Sequence, residues 1–313
     1  MSYKAEYLCD LHSHTMMSDG NDTYKEIIDN AAELGMRVIA ITDHDVTPKG
    51  TIESGGKLFT PTEYGRMKNV YVIPGIEYSC DTDVDDVHIV GLGCDWSNEK
   101  FKIEEKNMEI SKINGYRKLT EVLTKNGMDI SWQELLENNG NLRRPEDIQR
   151  KHIFELIANK GYASTWQDAK IMVRDNPAYN VKREKIEPIR AIDIIHEAGG
   201  IAILAHPYLI DEIVEKNRIK TTRWEYIENL IKSGLDGIEA AYTYSKTSYK
   251  GNCTSEEIEK EVRELYTDMV KIISGGSDYH NDAKRGVKNP RLIGEKGVTW
   301  EYFKQNKYLS SLI

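Results

Sequence analysis

The sequence lacks paired cysteines, an excess of positive charge and any apolar run long enough to cross a bilayer, and each absence removes a class of function. Its four cysteines, Cys9, Cys80, Cys94 and Cys253, show neither CxxC nor zinc-finger spacing, so they read as free thiols in a reducing cytosol. The longest apolar stretches, such as Arg37–Thr42 and Gly200–Ala205, fall far short of the roughly 20 residues a membrane helix needs. No basic segment followed by an apolar one opens the chain, so a cytoplasmic protein is expected. Lys and Arg number 42 against 51 Asp and Glu, a formal charge of −9, which argues against backbone-driven binding of duplex DNA. A small anionic substrate at a local positive site stays open. Neither GxGxxG nor GxxxxGKS is present, and no nucleophile elbow or nucleophilic cysteine motif competes for the chemistry.

What is there is a 313-residue chain, 39% hydrophobic and 30% charged, which suits one large α/β domain with an insertion. Short β-rich runs alternate with helical segments, the pattern of a parallel sheet or barrel. Expected strands are Glu6–Leu11, Arg37–Thr42, Val70–Pro74, Val87–Gly91, Ile201–Ala205, Gly237–Ala241 and Lys271–Gly275. Helices are expected near Tyr24–Leu34, Ala191–Ala198, Trp224–Lys232 and Ser255–Val270, the first of them stopped by Gly35. Residues 97–188 differ: they are charged, lack strand runs and carry helix signals. Ser131 to Glu134 fits a capping box, and Pro145 suits a first helical turn. Ile148, His152 and Leu156 share one face at i, i+4 spacing. The expected division is therefore 1–96 with 189–313 as the main domain and 97–188 as a mostly helical insertion.

Six of the eight histidines fall at or near strand ends. The first strand runs into Asp10-Leu11-His12-Ser13-His14, followed by Ser18-Asp19-Gly20. Alternation in a strand projects His12 and His14 to one side, a good chelate for a borderline divalent ion. Later strands bring Asp43-His44-Asp45, Gly75-Ile76-Glu77, His88, His206-Pro207 and Asp278-Tyr279-His280. Loops after parallel strands gather at one face, so these groups should converge. His12, His14, Asp19, His44, Glu77, His88, His206, Asp278 and His280 are more ligands than one ion uses and suit two or three divalent ions. Asp10, Asp43 and Asp45 are expected to orient ligands or cap turns. Glu239 faces the site only in one of two strand registers, and His196 is expected on a helix surface.

In this order, DLHSHT with SDG, TDHD, GIE, a strand histidine, AHP and GSDYH resemble the PHP (polymerase and histidinol phosphatase) family of metal-dependent phosphoesterases. The resemblance covers nearly the whole chain. It implies a distorted (β/α)7 barrel with two or three Mn, Fe or Zn ions on the nine residues above. The chain is most similar to the stand-alone bacterial branch that hydrolyses nucleotide phosphates or short 5′-phosphorylated RNA and carries a helical insertion. Arg150-Lys151-His152-Ile153 resembles an element that, in this branch, lies near the substrate phosphate, making Arg150 and His152 candidates, with Lys182 and Arg183 beside them. Asn281 stands where the branch commonly has Gly, and Thr47–Lys68 is a longer loop rich in Gly and Thr. The expected reaction is phosphomonoester hydrolysis on a small nucleotide-like substrate. The attacking group is a hydroxide bridging the ions, held by His12, His14, Asp19, Glu77 and Asp278. The alternative is a phosphodiesterase or 5′→3′ exoribonuclease on short RNA. A remote one is a non-catalytic metal-binding module. A monomer or small homo-oligomer is expected, with no membrane partner.

Overall fold

Every one of the seven expected strand segments overlaps a strand of the main sheet. In the computed structural model, which describes residues 3–138, 140–179 and 181–313, these are β1 (Cys9–Asp10), β2 (Val38–Ile41), β3 (Tyr71–Cys80), β4 (Val87–Leu92), β5 (Ile201–Leu204), β6 (Gly237–Ala241) and β7 (Ile272–Gly275). Their order in space is their order in sequence. The last strand returns to the first: Leu11 N–H donates to the Gly275 carbonyl at 3.2 Å, and Ser13 pairs with Tyr279. The sheet is thus a nearly closed seven-stranded barrel.

The parallel expectation fails at one strand. β4 runs antiparallel to both β3 and β5, while the other neighbours pair in parallel. The cause is the short link between Cys80 and Val87, which allows a hairpin but not a crossover helix. Reversal places the start of β4 at the same end as the carboxyl ends of the other strands. His88, the second residue of β4 and opposite Ser79, reaches the site for that reason.

Alternation sorts the strand side chains. Cys9, Leu11, Val38, Ala40, Ile73, Val90, Leu92, Ile203 and Ile272 share one apolar cluster with Phe303 and Leu309 from the last helical turns. Ile39, Ile41 and Val72 face the other way and pack with Ile27, Ile28 and Ala31 of α1 (Tyr24–Glu33). α1 begins at a capping box between Thr23 and Glu26 and is followed by Gly35 at φ 72°.

The Thr47–Lys68 segment is not a plain loop. It holds a hairpin, Ile52–Ser54 with Lys57–Phe59, and then α2 (Pro61–Met67) capped by Thr60 and Glu63. Gly55 and Gly56 both adopt positive φ, as a two-residue hairpin turn requires. A second unforeseen hairpin pairs Ile213–Lys216 with Ile219–Thr222 around Asn217 and Arg218.

The chain forms two compact units, Met1–Lys102 with Ile186–Ile313, and Ile103–Lys185. The second unit is mostly helical. Its apolar cluster includes Leu119, Leu123, Ile153, Phe154, Ile157 and Val173. Pro145 opens a single 3₁₀ turn, and the following helix starts only at Arg150. Ile148 therefore lies outside that helix. Its buried face is Ile153, Phe154 and Ile157, so the Ile148/His152/Leu156 face is corrected by one position.

Asp236, just before β6, ties together three segments: it accepts from His196 Nε2 at 2.6 Å, Lys271 Nζ at 2.6 Å and the Ala202 N–H at 3.0 Å. Burial pushes its carboxyl up, but Lys271, the Ala202 amide and His196 outweigh this and hold it below the ordinary range. Asp236→Asn should lower stability at pH 7 by about 1–3 kcal/mol. A depressed acid stabilises above its unfolded pKa of about 3.9 and loses that as pH falls through its folded value. The gap between variant and wild type in denaturant melts should therefore close below about pH 4.

Candidate metal centre

All nine expected ligand residues lie at one end of the barrel. His12 and His14 follow β1, His44 follows β2, His206 follows β5, and Asp278 and His280 follow β7. Glu77 is not beyond a strand end, as expected, but inside β3, which continues six residues past Pro74 because it pairs there with β4.

The Glu77 carboxylate is fully buried among five imidazoles. Its Oε2 lies 3.2 Å from His12 Nε2, 3.2 Å from His14 Nε2 and 3.0 Å from His44 Nδ1. Its Oε1 lies 2.9 Å from His88 Nδ1 and 3.1 Å from His206 Nε2. At the second focus, His280 Nε2 is 2.9 Å from Asp19 Oδ1, and Asp278 Oδ1 is 3.1 Å from His14 Nε2. Three overlapping groups result: His14, Asp19, His44 and His280; His12, His14 and Glu77; and His44, Glu77 and His88.

Several of these atoms are buried without a hydrogen-bond partner: His14 Nδ1, His44 Nδ1, His206 Nδ1, Glu77 Oε2 and Asp278 Oδ1. Leaving so many polar atoms unpaired is costly unless a cation satisfies them. His12 Nε2 and His14 Nε2 approach to 3.1 Å, about the edge of a coordination polyhedron whose ligands sit roughly 2.1 Å from a central ion. The donor set, imidazoles and carboxylates without thiolate, fits divalent transition metals.

The charges in the cluster are strongly coupled. Burial would lower the His14 imidazole, but Asp278 and Glu77 outweigh it and raise it to about 10. Burial, joined by His14 and His88, lowers His44 to about 3 against the opposing pull of Glu77 and Asp19. Burial pushes Glu77 and Asp278 up, yet the surrounding imidazoles hold both well below the carboxylate range. Both carboxylates thus stay negatively charged within the cluster.

Supporting residues hold this arrangement. Asp10, pushed up to about 6 by burial, accepts from the Ser277 N–H and hydroxyl, the Gly294 N–H and the His12 N–H. Asp43 accepts from the Thr15 N–H and hydroxyl and from Ser18 Oγ, so it fixes the loop leading to Asp19. Asp45 accepts from the Ser79 N–H at 3.0 Å and clamps β3. Glu239 does face the site: Oε1 is 3.3 Å from His12 Nδ1, and Oε2 accepts from the His206 N–H at 2.8 Å. Because it fixes the ring of one expected ligand, His12, and the backbone of another, His206, Glu239→Gln should lower metal affinity or turnover by roughly 10–100-fold; metal titration and kcat/KM read this out. His206 and Asp278 have φ of 29° and 52°, left-handed values that non-glycine residues adopt at a cost of about 1–3 kcal/mol each. Asn281 is also left-handed, at φ 49°, and its amide donates to Asp22 at 2.7 Å, which explains how it replaces Gly there.

A cavity of about 270 Å³ opens over these groups, with Asp86, Leu209, Lys246, Ser248 and Arg291 also in its wall. Tyr242 and Arg291 both donate to Asp278 Oδ2. Sequence reasoning missed Lys246, Tyr242 and Arg291. Tyr242 directly follows the Gly237–Ala241 strand, a usable signal, but Arg291 sits in a loop whose other Lys and Arg residues look alike.

Arg150, His152, Lys182 and Arg183 belong to the second unit. Arg150 lies over the Phe154 ring, and His152 Nδ1 accepts from the Gln149 N–H at 3.1 Å, a helix-capping role. Arg183 packs beside Gly115. His196 is on a helix surface, as expected, and pairs with Asp236.

Residues 10–276 match the PHP domain family. The phosphoribosyl 1,2-cyclic phosphate 1,2-diphosphodiesterase of Eggerthella lenta is 25% identical over 277 residues, 87% of this chain and 93% of that one. The 5′-3′ exoribonuclease Rnm of Salmonella typhimurium is 32% identical over 201 residues, 63% of this chain and 64% of that one. The 3′,5′-nucleoside bisphosphate phosphatase of Chromobacterium violaceum is 26% identical over 280 residues, 88% of each chain.

Proposed function

The chain belongs to the PHP domain family of phosphoesterases, and from that premise we propose that it hydrolyses a phosphomonoester of a small nucleotide-like substrate at a centre of two or three Mn, Fe or Zn ions. The observation that carries this reading is Glu77, whose two oxygens each face a different set of imidazoles. A carboxylate placed this way is suited to lie between two cations. His12, His14, Asp19, His44, Glu77, His88, His206, Asp278 and His280 would hold the ions. When bound, such ions neutralise phosphoryl oxygens and lower the pKa of a water toward about 7.

The protein's own groups do the rest. Glu239 holds His12 and the His206 backbone in place. Lys246, paired with Glu295, and Arg291, paired with Asp278 and Asp282, stand in the cavity wall, and the cavity's size suits a small metabolite rather than a duplex. Among the described residues no helix is long and apolar enough to cross a membrane. The reading places the enzyme in the cytoplasm as a monomer or small homo-oligomer.

The second reading, removal of nucleotides from the 5′ end of short RNA, is favoured by the similarity to Rnm. A screen with Mn²⁺ over nucleotides, bisphosphonucleotides, sugar phosphates and short 5′-phosphorylated RNA separates the two. Release of inorganic phosphate, fastest from a nucleotide or bisphosphonucleotide, is expected. Faster release of mononucleotides from RNA, without free phosphate, would replace the first reading by the second. The insertion, 97–188, is taken to contribute to substrate binding through Arg150, His152 and Arg183. On that basis Arg150→Ala or His152→Ala should raise KM about tenfold with unchanged metal content, the loss of roughly 1.4 kcal/mol of binding. Loss of metal instead would assign these residues to the fold.

A further inference from the structure

Arg291 enters the cavity wall from a loop that also carries Pro290, well past the last strand. Its Nη1 donates to Asp278 Oδ2, and its Nε and Nη2 each donate to Asp282 Oδ2 at 3.2 Å. Tyr242 donates its hydroxyl to the same Asp278 Oδ2 at 2.8 Å. That oxygen therefore accepts one charged and one neutral hydrogen bond. Its twin, Oδ1, is buried without any, and lies 3.1 Å from His14 Nε2 and 3.3 Å from His280 Nδ1. One oxygen is committed to the protein and the other to the imidazole cluster. All three guanidinium nitrogens of Arg291 are engaged by carboxylates, and its side chain is only 15% exposed, so it is not a free cation awaiting a phosphate.

We propose that Arg291, assisted by Tyr242, is a positioning residue that keeps Asp278 a one-oxygen metal ligand. The proposal rests on the metal-centre reading above. A carboxylate with both oxygens free can hold a divalent ion through both. Hydrogen bonds to one oxygen prevent this, and the adjacent guanidinium charge also weakens the carboxylate's pull on the ion. Removing Arg291 should therefore have opposite effects on two quantities. The ion is held at least as tightly, while turnover falls because Asp278 takes a coordination position that the substrate needs. An arginine that merely braces the fold gives another pattern, in which both decline together.

The test uses full-length Arg291→Met. Mn²⁺ is titrated onto metal-stripped protein by calorimetry, and kcat and KM are measured on a phosphoester that wild type hydrolyses. The expected result is a Kd for Mn²⁺ equal to or below the wild-type value, a kcat lowered by roughly 10–100-fold, and little change in KM. Arg291→Lys keeps the charge without the planar fork, so it should restore the wild-type Kd but not the kcat. If Arg291→Met does not fold, Tyr242→Phe decides by the same criterion: a lowered kcat at undiminished Mn²⁺ affinity. A tenfold loss of Mn²⁺ affinity, an unchanged kcat, or a raised KM alone would each overturn the proposal, the last by making Arg291 a substrate contact. A wild-type protein that binds no Mn²⁺ would overturn the metal-centre reading along with it.

Discussion

Glu77→Gln should reduce kcat by on the order of 10³-fold and lower the metal content of purified protein, as measured by elemental analysis. The substitution preserves shape and volume, so the barrel should still form. It replaces a carboxylate surrounded by His12, His14, His44, His88 and His206 with an amide, one end of which is a hydrogen-bond donor. A donor aimed at a cation's position repels the cation, and one negative charge is lost from a buried site. Lewis-acid stabilisation is worth several kcal/mol, and about 4 kcal/mol at 1.36 kcal/mol per tenfold gives the factor stated. Near-normal kinetics with full metal content would remove Glu77 from the centre and with it the bridging geometry.

Stripping the metals should abolish turnover and lower the melting temperature by on the order of 10 °C, with both restored by Mn²⁺. A ligand that binds only the folded state at 1,000 times its Kd stabilises by about 4 kcal/mol, and 1 kcal/mol shifts the midpoint of a large domain by about 2–4 °C. The physical source is a pair of buried carboxylates, Glu77 and Asp278, each with an unpaired oxygen. Without a cation those two oxygens, Glu77 Oε2 and Asp278 Oδ1, are left facing imidazoles alone. Calorimetry of stripped and reloaded protein checks this. A large thermal shift without phosphoester hydrolysis on any substrate would favour the non-catalytic metal-binding reading.

Much of the site was legible because strands carry a period of two and their ends are marked by chemistry. Cys9–Asp10 running into His12 and His14, or Ile201–Leu204 running into His206, needs only alternation and a strand end. The direction of Val87–Leu92 is another matter. An apolar run does not state which way it points, and only the short link after Cys80 shows that no crossover fits. The stretch after Thr47 looks like a loop by its glycine and threonine content, yet Gly55-Gly56 make a hairpin turn and Thr60 a helix cap. The i, i+4 spacing puts His152 on one face with Ile148, but its helix starts at Arg150, after a separate turn at Pro145. Arg291 had no local signal. Its role depends on a loop folding back onto Asp278, and that is a tertiary fact.

The barrel's seam has a consequence for biogenesis. Leu11 pairs with Gly275, and Asp10 grips Ser277 and Gly294, so strands far apart in the sequence must meet before the sheet can close. Contacts of such long sequence separation form slowly, and synthesis delivers the second partner long after the first. While the ribosome is still extending the chain, His12 and His14 are present without Asp278 or His280. The nascent protein therefore has an open sheet edge and a partial set of donors until those residues are made. A full donor set exists only from then on, so metal scarcity should show itself as late misfolding rather than as failed translation.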